Sequence, residues 1–154
     1  MALHREPLTI LLVEDSEHDL RAIQRVWSRN GFSGRLIVVK DGEECLRYLR
    51  RRPPHDDPHR SPRPHLLLLD INLPRVNGFE VLKTIKGSSE LQALPVVVFT
   101  TSRRHEDMIK AYQLGANAFF SKPLGSEALG RMLTAILQFW ELAGLPVHHP
   151  APAS

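Results

Sequence analysis

Five short apolar runs alternate with helix-patterned segments along nearly the whole chain, and few folds accept that order. The runs are LTILLV (8–13), RLIVV (35–39), HLLLLD (65–70), PVVVFT (95–100) and ANAFFS (116–121). Between them lie residues 16–30, with Leu20, Ile23 and Trp27 on one helical face, and residues 42–51, with Cys45, Leu46 and Leu49. Residues 78–86 follow with Val81, Leu82 and Ile85, then residues 105–114, then a long last helix from about Ser126. Asn30-Gly31, Lys86-Gly87 and Leu114-Gly115 are helix-end signals. Strand-length runs joined by helices predict an α/β fold, a doubly wound five-stranded parallel sheet with helices on both faces.

The 154 residues suit one domain and leave no room for a second. The expected divisions are a tail over 1–7, the folded domain over 8–143 and a carboxyl-terminal extension over 144–154. No uncharged apolar run approaches the roughly 18 residues a bilayer span needs, so no membrane segment is expected. The opening MALHREPLTILLVEDSE ends its apolar run in Glu14 and Asp15 without a small-residue cleavage site, which does not read as a signal peptide. The lone Cys45 has no disulfide partner and fits a reducing compartment, and a cytoplasmic location follows. A net charge of +3, scattered, is too small to mark a nucleic-acid surface. The one basic cluster, Arg50-Arg51-Arg52, leads into Pro53, Pro54, Pro58, Pro62 and Pro64, a stretch read as a solvated loop.

In a sheet wound this way the ligand site lies at the carboxyl ends of the strands. Glu14 and Asp15 follow the first run, Asp70 ends the third, Thr100 the fourth, and Lys122-Pro123 comes after the fifth. Each alone has a plain explanation, since a carboxylate after a strand often caps the next helix, a task open to Ser16 with Asp19. Together they require four coincidences. Two like charges about 4 Å apart repel by roughly 4 kcal/mol at an effective dielectric near 20, so three carboxylates at one rim call for a cation. Magnesium, or manganese, is a hard ion that suits oxygen ligands and phosphate. Asp70 is the candidate phosphoacceptor. Asp15 is expected to bind the metal directly and Glu14 mostly through water, with the Asn72 main-chain carbonyl as a further ligand. Thr100 offers a hydroxyl to a phosphoryl oxygen, and Lys122 a positive charge.

These residues resemble a family. Glu14-Asp15, the run LLLLDINLPRVNG with Asp70, Pro74 and Gly78, the strand end VVVFTTS with Thr100, and FFSKP with Lys122 are similar in type, order and spacing to the receiver domains of response regulators, over about residues 8 to 140. The resemblance implies a flavodoxin-like sheet of strand order 2-1-3-4-5, phosphorylation by a sensor histidine kinase, and magnesium dependence. It also implies a switch in which Thr100 and Phe119 reorient together, and a cis peptide bond at Lys122-Pro123. DINLPRVNG, FTTS, Tyr112 followed by LGAN, the proline-rich loop and FWELAGLP resemble more particularly the single-domain regulators that partner bacterial and cyanobacterial phytochromes. Two departures are Glu14, where the family usually has aspartate, and Thr101, bulkier than the usual neighbour of the threonine. Phe119 lacks the hydroxyl of a tyrosine, so packing alone would govern its movement.

Three other classes fit less well. A haloacid dehalogenase-type phosphatase needs a second acid two residues after its nucleophile, and that position is Asn72. A flavodoxin-like electron carrier needs a phosphate cradle where Glu14-Asp15 would repel it. A DNA-binding regulator needs an effector domain, and GLPVHHPAPAS after Ala143 is too short for one. His148-His149 lacks a third metal ligand. On the last helix, Leu129, Met132, Leu133, Ile136, Trp140 and Ala143 form an arc suited to the sheet, while Ala128, Ala135, Phe139 and Leu142 form a second apolar stripe beside it. A homodimer through Ala135, Phe139, Leu142 and the adjoining Trp140 is expected. The competing arrangement folds Leu145 and Val147 back over the stripe.

Overall fold

Three of the helices begin on side chains that accept an orphan backbone N–H. Ser16 Oγ accepts from Asp19 N at 3.3 Å, Asp41 Oδ1 from Glu44 N at 2.7 Å, and Asn77 Oδ1 from Glu80 N at 3.1 Å. The computed structural model describes residues 7–146, in the order β1 (Thr9–Val13), α1 (Glu17–Arg29), β2 (Arg35–Val39), α2 (Gly42–Leu49), β3 (Leu66–Leu69), α3 (Gly78–Lys86), β4 (Val96–Thr100), α4 (His105–Gln113), β5 (Ala118–Ser121) and α5 (Ser126–Leu142). The strands form one parallel sheet of order β2-β1-β3-β4-β5. None of the helices among the described residues is long and apolar enough to cross a membrane.

Alternate strand residues supply the two sides of the sheet. Leu11, Val13, Leu67, Leu69, Val96 and Val98 pack with Cys45, Tyr48 and Leu49 of α2, Val81, Leu82 and Ile85 of α3, and Ala111 of α4. Ile10, Leu12, Leu66, Leu68, Val97 and Phe99 pack with Leu20, Ile23 and Val26 of α1 and with Leu129, Leu133, Ile136 and Leu137 of α5. Both sides are apolar because both are covered. Leu137 is buried although the helical arc read from the sequence omits it, whereas Met132 and Trp140 of that arc pack only partly buried. Trp27 is likewise half-buried, at the border of the core, with its ring 5.0 Å from that of Phe32.

The proline-rich segment is mostly exposed, as expected of a loop, but it is tied down. The Tyr48 hydroxyl donates to the Pro62 carbonyl at 2.6 Å, His55 lies 5.0 Å from the Tyr48 ring, and Ser61 and Pro64 are buried. The register sets the site. Val13 lies opposite Val39 and Leu69, and Thr100 opposite Ser121, so the residues that follow these strands emerge at one rim.

Candidate functional site

Glu14, Asp70 and Lys122 each take the first position after a strand, and each is buried: they are 1%, 5% and 7% exposed. Asp15 is exposed beside them, and oxygens of Glu14, Asp15 and Asp70 lie within 4.8 Å of one another. Backbone contacts fix the carboxylates. Ser16 N donates to Glu14 Oε2 at 3.2 Å, and Asn72 N donates to Asp70 Oδ1 at 3.0 Å. Gly78 is required here: a Cβ at this position would overlap the Asp70 carbonyl and the Ile71 Cα, and Gly78 N donates to the Ile71 carbonyl at 3.1 Å. The start of α3 thus presses directly on the backbone that carries Asp70.

Lys122 reaches the rim as β5 ends, its N–H donating to the Thr100 carbonyl at 2.7 Å. Its ammonium donates to Glu14 Oε1, to Asp19 Oδ2 at 3.1 Å and to Asp70 Oδ2 at 3.2 Å. Burial pushes the Glu14 carboxyl up to about 7 against the pull of Lys122, and the Asp70 charge adds to the rise. Burial works against the Lys122 ammonium as well, yet Asp70 and Glu14 outweigh it and hold the amine charged above its usual range. A lone lysine therefore does not satisfy this cluster of acids. Three carboxylates that converge with one of them pushed up by burial form a hard-oxygen set that fits a divalent cation.

Thr100, fully buried, accepts from Ser102 N at 3.3 Å. Ser102 in turn donates through Oγ to Asp107 Oδ2 at 2.6 Å and accepts the Ser121 hydroxyl on its carbonyl at 2.7 Å. Phe119 is half-buried against the α2, α3 and α4 side of the core, and its N–H donates to the Tyr112 hydroxyl at 3.2 Å. Thr101 is exposed at the rim.

The structure brings Glu14, Asp15, Asp70, Asn72, Thr100 and Lys122 to one rim. It corrects one expectation. Lys122-Pro123 is trans, and the cis peptide among the described residues is Pro53-Pro54. Trans is the ordinary isomer by about 0.5–1 kcal/mol, and Lys122 reaches its three carboxylates from it. In the sequence Asp19 is open to a capping task with Ser16, but its carboxylate joins the site. The available signal was an acid four residues beyond Asp15. Nothing local pointed Tyr112 toward β5 or Asp107 toward the loop after β4, contacts that the folded chain makes.

On the last helix Phe139 and Leu142 are 63% and 75% exposed, and Ala135 is exposed too. Trp140 packs partly buried, edge-on to Phe139 at 5.0 Å, and Leu145 packs back against the α1 and α5 side of the core. Val147, His148 and His149 lie outside the described residues, as do residues 1–6 of the expected tail.

A five-stranded sheet of this order, with carboxylates, threonine and lysine delivered by successive strand ends, defines a receiver, and the model of the response regulator receiver domain matches residues 10–134. The chain belongs to that family. Among its relatives is response regulator Rcp1 of Synechocystis sp., 40% identical over 141 residues, covering 91% of this chain and 94% of that protein. A structure of the Mn(2+)-bound form of Rcp1 matches with a TM-score of 0.81 at 39% identity, covering 92% of this chain and 100% of that one. The phosphorylated cyanobacterial phytochrome response regulator RcpA matches with a TM-score of 0.84 at 35% identity, again over 92% and 100% of the two chains. FilR2 of Methanothrix harundinacea, a probable methanogenesis regulatory protein, is 43% identical over 135 residues, covering 88% of this chain and 84% of that one.

Proposed function

We propose that the chain is a phosphoacceptor in a two-component phosphorelay, taking a phosphoryl group on Asp70 from a sensor histidine kinase of the phytochrome class. The observation that carries this reading is the convergence of Glu14, Asp15 and Asp70 within 4.8 Å, with the Lys122 ammonium 3.2 Å from Asp70. In the transfer an Asp70 carboxylate oxygen attacks phosphorus, an O–P bond forms, and the P–N bond to the kinase histidine breaks. The imidazole leaves with that electron pair and takes up a proton. Magnesium, or manganese, held by Glu14, Asp15, Asp70 and the Asn72 carbonyl, would supply charge neutralisation for the phosphoryl oxygens. Lys122 trades a carboxylate for a phosphoryl oxygen, and Thr100 turns from the Ser102 N–H to donate its hydroxyl. Phe119 follows the threonine, and the signal passes to α4 and β5.

The phytochrome partner is supported by the likeness to RcpA and Rcp1. The reading assigns no turnover of external substrates, because Asn72 cannot shuttle a proton two residues beyond Asp70; slow self-dephosphorylation is the only hydrolysis. It also assigns a cytoplasmic location, no contact with nucleic acid or membrane, and output by docking. Phosphotransfer from purified phytochrome-type and other histidine kinases, and from phosphoramidate with magnesium, tests it. Wild-type protein is expected to form an acyl phosphate that Asp70→Asn lacks, and labelling of Asp70→Asn at the wild-type level overturns the assignment. Thr100→Ala and Lys122→Ala are expected to accept the group without the change at α4.

A further inference from the structure

Asp19 stands in the first turn of α1, where an acidic residue ordinarily serves the helix itself by facing its orphan N–H groups. Here that service is done by another residue. Ser16 Oγ accepts the Asp19 N–H, and the Asp19 carboxylate instead meets Lys122, with Oδ2 3.1 Å from Nζ across 103 residues of sequence. An ammonium has three N–H donors and no acceptor. Lys122 directs them to three carboxylates, those of Glu14, Asp19 and Asp70, while almost wholly removed from water.

These three partners are not equivalent. Glu14 and Asp70 belong with Asp15 to the group of oxygens close enough to share one cation, and Asp19 does not. With a cation held by Glu14, Asp15 and Asp70 and a phosphoryl group on Asp70, Asp70 would cease to be a free carboxylate and Glu14 would be committed to the metal. Asp19 is then the one carboxylate still free to hold Lys122. Its side chain is 25% exposed, so it can stay paired throughout the exchange.

We propose that Asp19 is a positioning residue for phosphorylation, which anchors the Lys122 ammonium at the rim while its other two partners are taken over. The proposal rests on the reading of Asp70 as phosphoacceptor. Its consequence is specific: loss of the Asp19 carboxylate should slow the chemical step at saturating metal, and more where Lys122 is present than where it is absent.

The test follows phosphorylation by phosphoramidate at saturating magnesium, a donor that avoids any kinase contact with α1. Asp19→Asn and Asp19→Ala are expected to lower the maximal rate roughly three- to tenfold, the net scale of one ordinary hydrogen bond. Asp19→Glu should recover most of the loss, and Asp19→Asn should have less effect in a Lys122→Ala background. Manganese titrated without any phosphodonor gives a second readout. Without Asp19, Lys122 falls back on Glu14 and Asp70 and competes with the ion, so Asp19→Asn should weaken binding more with Lys122 present than absent. An unchanged or faster rate in Asp19→Asn overturns the proposal, as does an equal loss with and without Lys122. Failure of the phosphoacceptor reading looks different: the wild type fails to label, or Asp70→Asn labels as well as it does.

Discussion

At the scale of single residues the site is an unfinished set of charges. Glu14 is buried with a carboxyl raised to about 7, mainly by desolvation. A carboxyl whose folded value lies above its unfolded one contributes stability that is fully present below about 4.5 and is lost as pH rises through about 7. In chelator, therefore, the thermal midpoint is expected to fall as pH rises across that interval. Excess magnesium or manganese should cancel the fall, because the ion binds the deprotonated form. Glu14→Gln should flatten the slope. Melting curves at several pH values with and without metal check this, and a midpoint that rises with pH in chelator, in step with Glu14 ionisation, contradicts it. Cys45, by contrast, is inert: it is wholly buried, and burial pushes its thiol up, which suits a packing role.

At the scale of elements, two contacts tie helices to the reactive strand ends. The first turn of α3 lies against the Asp70 backbone with no room for a methyl group at Gly78. Gly78→Ala is expected to cost about 1–3 kcal/mol, as overpacking does, and to weaken metal binding by displacing Asp70. Thermal unfolding and manganese titration measure the two effects, and full stability with normal binding would show that the loop yields freely. The second contact joins α4 to β5. Strand β5 is an edge strand, and the N–H of Phe119 finds the Tyr112 hydroxyl on its open side. Tyr112→Phe returns that N–H to water, so the stability loss should stay below about 1 kcal/mol. Amide exchange at Phe119 should nevertheless accelerate; unchanged protection would mean that the hydroxyl does not hold the strand.

At the scale of the whole molecule, α5 has more apolar surface than its own sheet covers. Leu129, Leu133, Ile136 and Leu137 face the core, and Phe139 and Leu142 face outward even though Leu145 folds back against the domain. Contiguous exposed apolar surface on one helix suits a self-complementary contact across a two-fold axis. The protein is expected to sediment as a dimer at tens of micromolar. Phe139→Glu should give a folded monomer, since the ring is largely exposed in the domain itself. A monomeric wild type, with and without phosphorylation, would refute the dimer.

The alternation of apolar runs and helical patterns was enough for the element order, because strands of four or five residues and helices of eight to seventeen follow from short-range periodicity and caps such as Ser16, Asp41 and Asn77. The positions of Glu14, Asp70 and Lys122 were legible for the same reason: parallel strands of similar length deliver their following residues to one rim. Partnerships were decided only in three dimensions. Asp19 looks like a helix cap in one dimension, but the meeting of α1 with the end of β5 turns it toward Lys122. Tyr112 carries no local pattern that points to Phe119, and the proline-rich loop reads as solvated until Tyr48 reaches Pro62. The trans bond at Lys122-Pro123 belongs to the same class, since an energy difference of about 1 kcal/mol is settled by surroundings rather than by residue type. Local periodicity determines which elements form, and side-chain contacts between distant elements depend on packing that no short stretch of sequence contains.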